Sequence, residues 1–500
     1  MTQQIDLDVE AASVTTGPTV SARRAFFVGI GGLFAIWILV MPPFTGIDEH
    51  DHAYRAAAAA RGQWAIDPVN ATRGTGAFLT VPTDIVEAAR PACRNLRYTE
   101  DNDCVGKRTD GGQTIVASGA GRYHPLFYAV IGTAARPFDG SAALYAMRIA
   151  TALLSGAFIW AAARAASTWA RTRWPYLGIA VVCTPVALYS ATIAAPNGVE
   201  IMAALSLWMS LLGLLLARPE HIRGLAANAA VSGAALATLR PLGPLWCLVI
   251  VGAVLVGVRA QPGRVTELLR QPAVLAGGLV VLLSAVQGTA WVLAMDALKM
   301  GSGGTGHTSL GSRLVVGARE IPVWMLQTIA AFPLRNEHTH PAVYVCYLIL
   351  FLVVVIFALR CGSARPRTAI ALIVGFSALF PLVTTVNTFD RFGTAWQGRY
   401  GLPVAMGTVV LAVYVLDRSG RHLRGPMQLA LLLLFVVSQT LSPAYTLLRQ
   451  IDNARQLDFG WWAQPSLGVT VVVAAASATL MWWGAFGRDL PTREDVRAET

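Results

Sequence analysis

Residues 25–55 read AFFVGIGGLFAIWILVMPPFTGIDEHDHAYR. The run from Ala25 to Pro43 is apolar and long enough to cross roughly 30 Å of hydrocarbon as a helix. Directly after it come the ionisable residues Asp48-Glu49-His50-Asp51-His52. Ionisable groups at a bilayer edge are costly unless solvated, paired or used, so this cluster marks both a membrane surface and a candidate active centre.

The apolar half of that pattern recurs along the chain. Of its 500 residues 55% are hydrophobic and only 13% charged, which excludes a soluble globule with an ordinary polar surface. Spans are expected at 25–43, 142–163, 175–194, 199–217, 225–239, 242–258, 272–295, 342–359, 368–386, 401–416, 427–445 and 467–486. The expected fold class is an all-α polytopic membrane protein of about 12 transmembrane helices, within a range of 10–13. Residues 1–24 and 487–500 read as tails flanking one transmembrane domain, 25–486. Met1 to Val20 is polar and acidic and has no secretory signal pattern, so the first span is expected to remain as an anchor.

Arginine and lysine in short loops mark the cytoplasmic side. With alternating spans, Arg23-Arg24, Arg164/Arg171/Arg173, Arg218/Arg223, Arg259/Arg264/Arg270, Arg360/Arg365/Arg367, Arg418/Arg421/Arg424 and Arg488/Arg493/Arg497 share one side, which makes both termini cytoplasmic. The net charge of +11 then reads as topology and contact with anionic lipid headgroups. The arginines are scattered over many loops and form no single aromatic-interleaved basic surface, which argues against nucleic acid as a partner. Cys93 and Cys104 fall in the long outside loop, where a disulfide between them would stabilise by about 3 kcal/mol on the chain-entropy estimate.

That loop, residues 44–141, is too long for a plain connector. Its start, Glu49 to Arg61, is Ala-rich and predicts a helix beginning at Asp48. Its middle, Asp67 to Gly121, reads as irregular, and the short apolar end around Tyr123-His124-Pro125 fits an interfacial or re-entrant helix. Two more outside regions carry polar motifs. One holds the Gly-rich run Gly301–Gly306 with His307, then a second short apolar segment from Ile321 to Phe332 ending near His338 and His340. The other is Gln397-Gly398-Arg399-Tyr400 before the tenth span. No phosphate loop or dinucleotide fingerprint occurs, so ATP-driven work on the cytoplasmic side is not expected.

In a helix starting at Asp48, His52 and Arg55 share its face at i+4 and i+7, and Glu49 lies beside His52. A carboxylate near His and Arg in a membrane cleft suits a general base. Asp48, Glu49 and His52 also form a set for a divalent cation, magnesium or manganese. The competing structural role is a helix cap: Asp48 as N-cap with Asp51 three residues on. Arg399 can grip a lipid phosphate bidentately, with Gln397 and Tyr400 adding hydrogen bonds; its structural alternative is an interfacial anchor. His124, Asn197 and Arg240 occupy other outer ends of spans, where capping and turn roles compete with binding.

Three segments taken in order, residues 43–55, Arg122-Tyr123-His124-Pro125-Leu126-Phe127-Tyr128, and Gln397-Gly398-Arg399-Tyr400-Gly401-Leu402-Pro403, resemble the successive signatures of an uncharacterised bacterial membrane-protein family, domain of unknown function 2142. That family is grouped with glycosyltransferases of the GT-C fold. The resemblance implies a GT-C-like domain in the bacterial cytoplasmic membrane, working extracytoplasmically with a polyprenyl-phosphate sugar donor and an envelope polysaccharide or glycolipid acceptor. It carries the role of base or metal ligand onto Asp48, and after it Glu49. Binding roles are then expected for His52, Arg55, Tyr123, His124, Asn197, Arg240, Gln397, Arg399 and Tyr400. A transporter or flippase of a lipid-linked glycan is the rival, for which polar groups near the bilayer midplane would be needed; Arg148 is the main charge inside a span.

Overall fold

A computed structural model describes residues 20–66, 76–94, 105–297, 308–332, 337–421, 423, 425–456 and 460–486. Most of both tails, Cys104 and the Gly-rich run with His307 lie outside the described residues. The chain is mostly helical and is a multi-pass membrane protein. Ten helical stretches among the described residues are long and apolar enough to cross a membrane. They are α1 (Val20–Val40), α5 (Gly140–Ser167), α8 (Asn197–Leu216), α9 (Ile222–Leu239), α12 (Pro272–Ala294), α14 (Pro341–Cys361), α15 (Ala364–Phe392), α16 with α17 (Gly398–Ala405 and Gly407–Ser419), α18 (Gly425–Ala454) and α19 (Leu467–Phe486).

The other two expected spans appear as shorter pieces, which is why ten long stretches stand where the apolar runs suggested twelve. Residues 175–194 are split into α6 (Trp174–Val182) and α7 (Pro185–Ser190), and 242–258 form the 15-residue α10 (Gly243–Gly257). Pro185 cannot continue α6, and the break frees backbone groups that hydrocarbon cannot satisfy. Neighbouring helices supply partners. Gln439 Nε2 donates to the Cys183 carbonyl at 2.8 Å, the Tyr347 hydroxyl donates to the Val181 carbonyl, and Thr184 Oγ1 caps α7 at the Ala187 N–H.

Polar contacts sort the helix ends into two groups. At one end, Asp417 accepts from the Arg171 and Thr172 N–H groups, Trp174 Nε1 donates to the Arg421 carbonyl, Arg264 donates to the Ala217 carbonyl, and Arg23 and Arg164 border one small cavity. At the other end lie Asp48, Tyr123, Asn197, Arg240 and Arg399.

The long loop is not irregular in its middle, and the fold is not purely helical. Three strands, β1 (Ala77–Pro82), β2 (Lys107–Thr109) and β3 (Gln113–Ser118), form an antiparallel sheet of order β1-β3-β2, with Ala77 opposite Ser118 and Lys107 opposite Ile115. The helix α3 (Thr83–Arg94) follows β1 directly and ends near the buried Cys93; its expected partner Cys104 is outside the described residues. The Asp110-Gly111-Gly112 turn, with both glycines at positive φ, closes the β2–β3 hairpin that the polar composition concealed. Asp51 fastens this sheet to α2 (Glu49–Ala59): its Oδ1 accepts from the Gly119 N–H at 2.8 Å and its carbonyl from Ser118 Oγ at 2.9 Å. Asp51 thus serves a strand end rather than a capping box.

The Ala-rich run forms α2 as expected, and its smooth face receives α4 (Pro125–Ala135). A Cβ on Gly132 would stand 2.0 Å from the Ala56 carbonyl oxygen, so only glycine permits this approach. One turn earlier on each helix the same approach brings Tyr128 to His52. The second outer apolar segment belongs to a longer helix than expected, α13 (Leu310–Gln327), with Thr328–Phe332 beyond its end. Gly132→Val should force α4 off α2 and destabilise the protein by about 1–3 kcal/mol or more. Thermal unfolding in detergent measures it; an unchanged midpoint would contradict the close contact.

Candidate active site

The centre grows from the turn between α1 and α2. Phe44 and Asp48 both adopt left-handed backbone, at φ 62° and 54°, conformations that cost about 1–3 kcal/mol each for ordinary residues and less for Asp. Their turn is held from several sides. Thr45 Oγ1 donates to the Pro42 carbonyl at 2.9 Å, the Ile47 N–H to the Tyr189 hydroxyl at 3.1 Å, and the Gly46 N–H to Glu49 Oε2 at 3.1 Å. Asp48 makes no side-chain cap on α2, so the capping role expected for it is absent. Its carboxylate is half-buried and acts electrostatically on His52 and Tyr123.

Glu49 is different in kind. Fully buried, it pairs with the fully buried Arg148: Nε to Oε1 at 2.8 Å and Nη2 to Oε2 at 2.6 Å. The Ala194 N–H adds a bond to Oε1 at 3.1 Å. Arg148 spends its remaining hydrogens on the carbonyls of Ile38, Met41 and Pro42, at 2.7–3.0 Å. All five of its N–H groups and both carboxylate oxygens are occupied, so Glu49 is placed as a strut, without a free oxygen for base catalysis. The acidic dyad seen in the sequence is divided between one half-buried carboxylate and one that is closed off in an ion pair.

His52 stacks between Tyr123 and Tyr128, and its Nδ1 lies 2.8 Å from the Tyr128 hydroxyl. Burial holds its pKa down at about 3; Arg240, Arg399 and His50 lower it further, against an opposing pull from Asp48. It is a neutral hydrogen-bonding wall of the site. Arg55 does not face a ligand: it donates to the carbonyls of Gln63 and Trp64, each at 2.8 Å, and of Tyr123 at 3.1 Å, tying the loop to α2. His124 caps α4 through Nδ1 and meets the Gln287 amide through Nε2, so a cap and a tie to α12 account for its two ring nitrogens.

A divalent cation at Asp48, Glu49 and His52 does not fit these positions. The Glu49 oxygens are filled, His52 Nδ1 is engaged, and no group of three His, Cys, Asp or Glu among the described residues is arranged to hold a metal ion.

The remaining expected residues do come together. Arg240, just past α9, donates through Nη1 to Asn197 Oδ1, has its Nε 3.9 Å from Glu200 Oε2, and lays its guanidinium 4.4 Å from the Tyr400 ring centre and 5.9 Å from that of Tyr123. Glu200 was not singled out from the sequence, although a lone carboxylate one turn into a 20-residue apolar span is itself a signal. Arg399 is 5% exposed, with its guanidinium 5.2 Å from the Tyr400 ring, and no hydrogen bond or ion pair of its side chain occurs among the described residues. Gln397, 3% exposed, has both amide atoms unpaired. An apolar cavity of about 150 Å³ is lined by their chain neighbours Trp396, Gly398 and Gly401 together with Trp324, Tyr347 and Phe351 among others.

Residues 32–408 match the family model described as "Predicted membrane protein (DUF2142)". The chain belongs to this family. Among solved structures it is similar to ArnT from Cupriavidus metallidurans bound to undecaprenyl phosphate, at 17% identity over 94% of this chain and 79% of that one, with a TM-score of 0.42. The apo form of the same protein gives 16% identity, 92% and 77% coverage, and a TM-score of 0.39. No curated protein matches the chain.

Two outcomes follow from this geometry. Arg148→Ala or Glu49→Ala leaves a buried charge alone and should cost about 3–5 kcal/mol, whereas Asp48→Asn, compatible with left-handed backbone, should leave stability within about 0.5 kcal/mol, both read by thermal unfolding. For His52 the folded-state pKa lies below its unfolded value of 6.5, so below pH 6.5 the unfolded chain binds a proton that the folded chain refuses. Its contribution to stability is therefore present above pH 6.5 and lost as pH falls toward 3. The stability difference between wild type and His52→Gln should narrow between pH 7 and 4.5; a constant difference would show that His52 does not titrate this way.

Proposed function

We propose that this protein is a membrane glycosyltransferase of GT-C-like architecture. It moves a sugar from a polyprenyl-phosphate donor to an envelope polysaccharide or glycolipid acceptor at the extracytoplasmic face of the bacterial cytoplasmic membrane. Both termini and the arginine-rich helix ends are then cytoplasmic, and the Asp48 end faces outward. The single observation that carries this reading is Arg399. Arg148, Arg240, Arg264 and Arg313 each have a carboxylate within 4.0 Å, and both terminal nitrogens of Arg55 donate to carbonyls. Arg399 has neither, yet is buried at the first turn of a membrane-crossing helix, where backbone N–H groups and the helix dipole add positive potential. A buried guanidinium left open in a low-dielectric site calls for an anion, and a phosphate suits its bidentate geometry.

The adjoining apolar cavity supplies the other half of an amphipathic ligand, a chain entering laterally from the bilayer. In the proposed step Asp48 takes the proton of an acceptor hydroxyl as its oxygen attacks the anomeric carbon. The bond from that carbon to the phosphate oxygen breaks with inversion, and the lipid phosphate departs with the electron pair. Arg399, with Arg240 beside Tyr400, holds the charge that develops on the phosphate. Neutral His52 and Tyr123 shape the cleft near Asp48.

Transfer by purified protein from a panel of polyprenyl-phosphate sugars tests this. Asp48→Asn should lower kcat by roughly 10²–10⁴-fold, and Arg399→Gln should lower kcat/KM by at least about tenfold. Full activity of Asp48→Asn would remove it as the base. Ion-coupled lipid translocation without transfer from any donor would favour a transporter instead.

A further inference from the structure

The sequence pattern places Gln397 with Arg399 as an auxiliary phosphate ligand. The structure points to a different partner. Gln397 precedes α16, and its backbone is pinned: the following Gly398 N–H donates to Gln327 Oε1 at 2.9 Å, and a Cβ on Gly398 would stand 2.1 Å from the Trp324 carbonyl oxygen. Its carbonyl accepts from the Tyr400 N–H at 3.0 Å, so the main chain is committed while the side chain is not. Both Nε2 and Oε1 lack a hydrogen-bond partner, although the residue is only 3% exposed.

Among the described residues only Gln397 has both amide atoms buried without a partner; Gln428 and Gln439 leave Oε1 so, and Gln450 leaves Nε2. Gln327 Oε1 accepts from Gly398, Gln439 Nε2 donates to Cys183, and Gln428 Nε2 donates to the Leu423 carbonyl. A buried amide with both atoms orphaned forfeits two hydrogen bonds, each worth about a fivefold factor in an equilibrium when made. A phosphate linked to a lipid and a sugar has acceptors only, so it can satisfy Nε2 but never Oε1. A hydroxyl both donates and accepts, and neighbouring hydroxyls on a sugar ring present the two functions side by side. Water does the same, but the residue is only 3% exposed and the cavity lined by its chain neighbours Trp396 and Gly398 is apolar.

We infer that Gln397 is a sugar-reading residue: its amide binds hydroxyl groups of the glycosyl unit next to the phosphate held by Arg399. This rests on the proposed donor class and adds a subsite to it. Arg399 would then supply affinity for any polyprenyl phosphate, and Gln397 discrimination in favour of the glycosylated form, since a site built to pair hydroxyls rejects ligands that leave its polar atoms unpaired.

The test measures binding to the full-length protein in detergent of decaprenyl phosphate and of decaprenyl-phosphoryl mannose, glucose and arabinose, with thermal unfolding as a control on folding. Wild type should bind at least one glycosylated lipid about tenfold more tightly than the bare lipid phosphate. Gln397→Met, similar in shape and apolar at its tip, should erase that preference while leaving decaprenyl phosphate within twofold. Arg399→Gln should weaken both ligands together. Equal wild-type binding of bare and glycosylated lipids, or an undiminished preference in Gln397→Met, overturns the sugar-reading role and leaves the donor class standing. Failure of the wild type to bind any of the four lipids refutes the donor class itself, and the subsite with it.

Discussion

The buried pair between Glu49 and Arg148 is the constraint on which the half of this molecule that carries Asp48 depends. Four separate parts of the chain meet there: the end of α1 through the Ile38, Met41 and Pro42 carbonyls, the start of α2 through Glu49, the membrane-buried face of α5 through Arg148, and the approach to α8 through the Ala194 N–H. Such a pair adds little net stability over an apolar packing, because desolvating both ions offsets their attraction. Its effect lies in specificity. With every donor and acceptor assigned, no other register of α1, α2 and α5 satisfies the same groups, and removing either partner strands a charge where water cannot reach it.

Fixing that register has a local consequence. The turn between α1 and α2 must close over the pair, which forces Phe44 and Asp48 into left-handed backbone. Asp48 thereby stands at the N-cap of α2 without a side-chain cap bond, half-buried toward His52 and Tyr123, while its neighbour Glu49 disappears into the interior. From the opposite side, α8, α9 and α16 deliver Asn197, Glu200, Arg240 and Arg399 by their ends alone. The bundle thus pairs Glu49 with Arg148 and Arg240 with Asn197 and Glu200, and among the described residues it leaves Arg399 without an ion pair and Gln397 with both amide atoms unpaired at that end. That contrast carries more functional information than the number of charged residues.

The membrane class, most of the spans and the Ala-rich α2 were legible in the sequence because hydrocarbon thickness and helical period impose long, recognisable patterns. The short spans were harder. At Cys183 and Thr184 the apolar run continues straight through a helix break, since the freed carbonyls are satisfied by Tyr347 and Gln439 from distant helices and leave no local mark. The sheet of the first loop escaped for a related reason: β1 and β3 are separated by α3 and by residues outside the described region, so their pairing has no local hairpin signature.

At the site, the sequence by itself determined where polar and ionisable groups gather at the ends of the spans: Asp48, Glu49, His52, Arg55, His124, Arg240, Gln397, Arg399 and Tyr400 were all named by position. Tertiary structure decided how each is spent. Glu49 and Asp48 are adjacent and chemically alike, and the arrival of Arg148 from about a hundred residues away closes the first into a buried ion pair while the second stays half-buried. Arg55 and Arg399 are both buried arginines, and only the carbonyls of Gln63, Trp64 and Tyr123 around the first distinguish a tie from a site. Pairing partners in this chain come from remote segments, so a residue's type and spacing set what it can do, and the fold sets whether its bonds are already made.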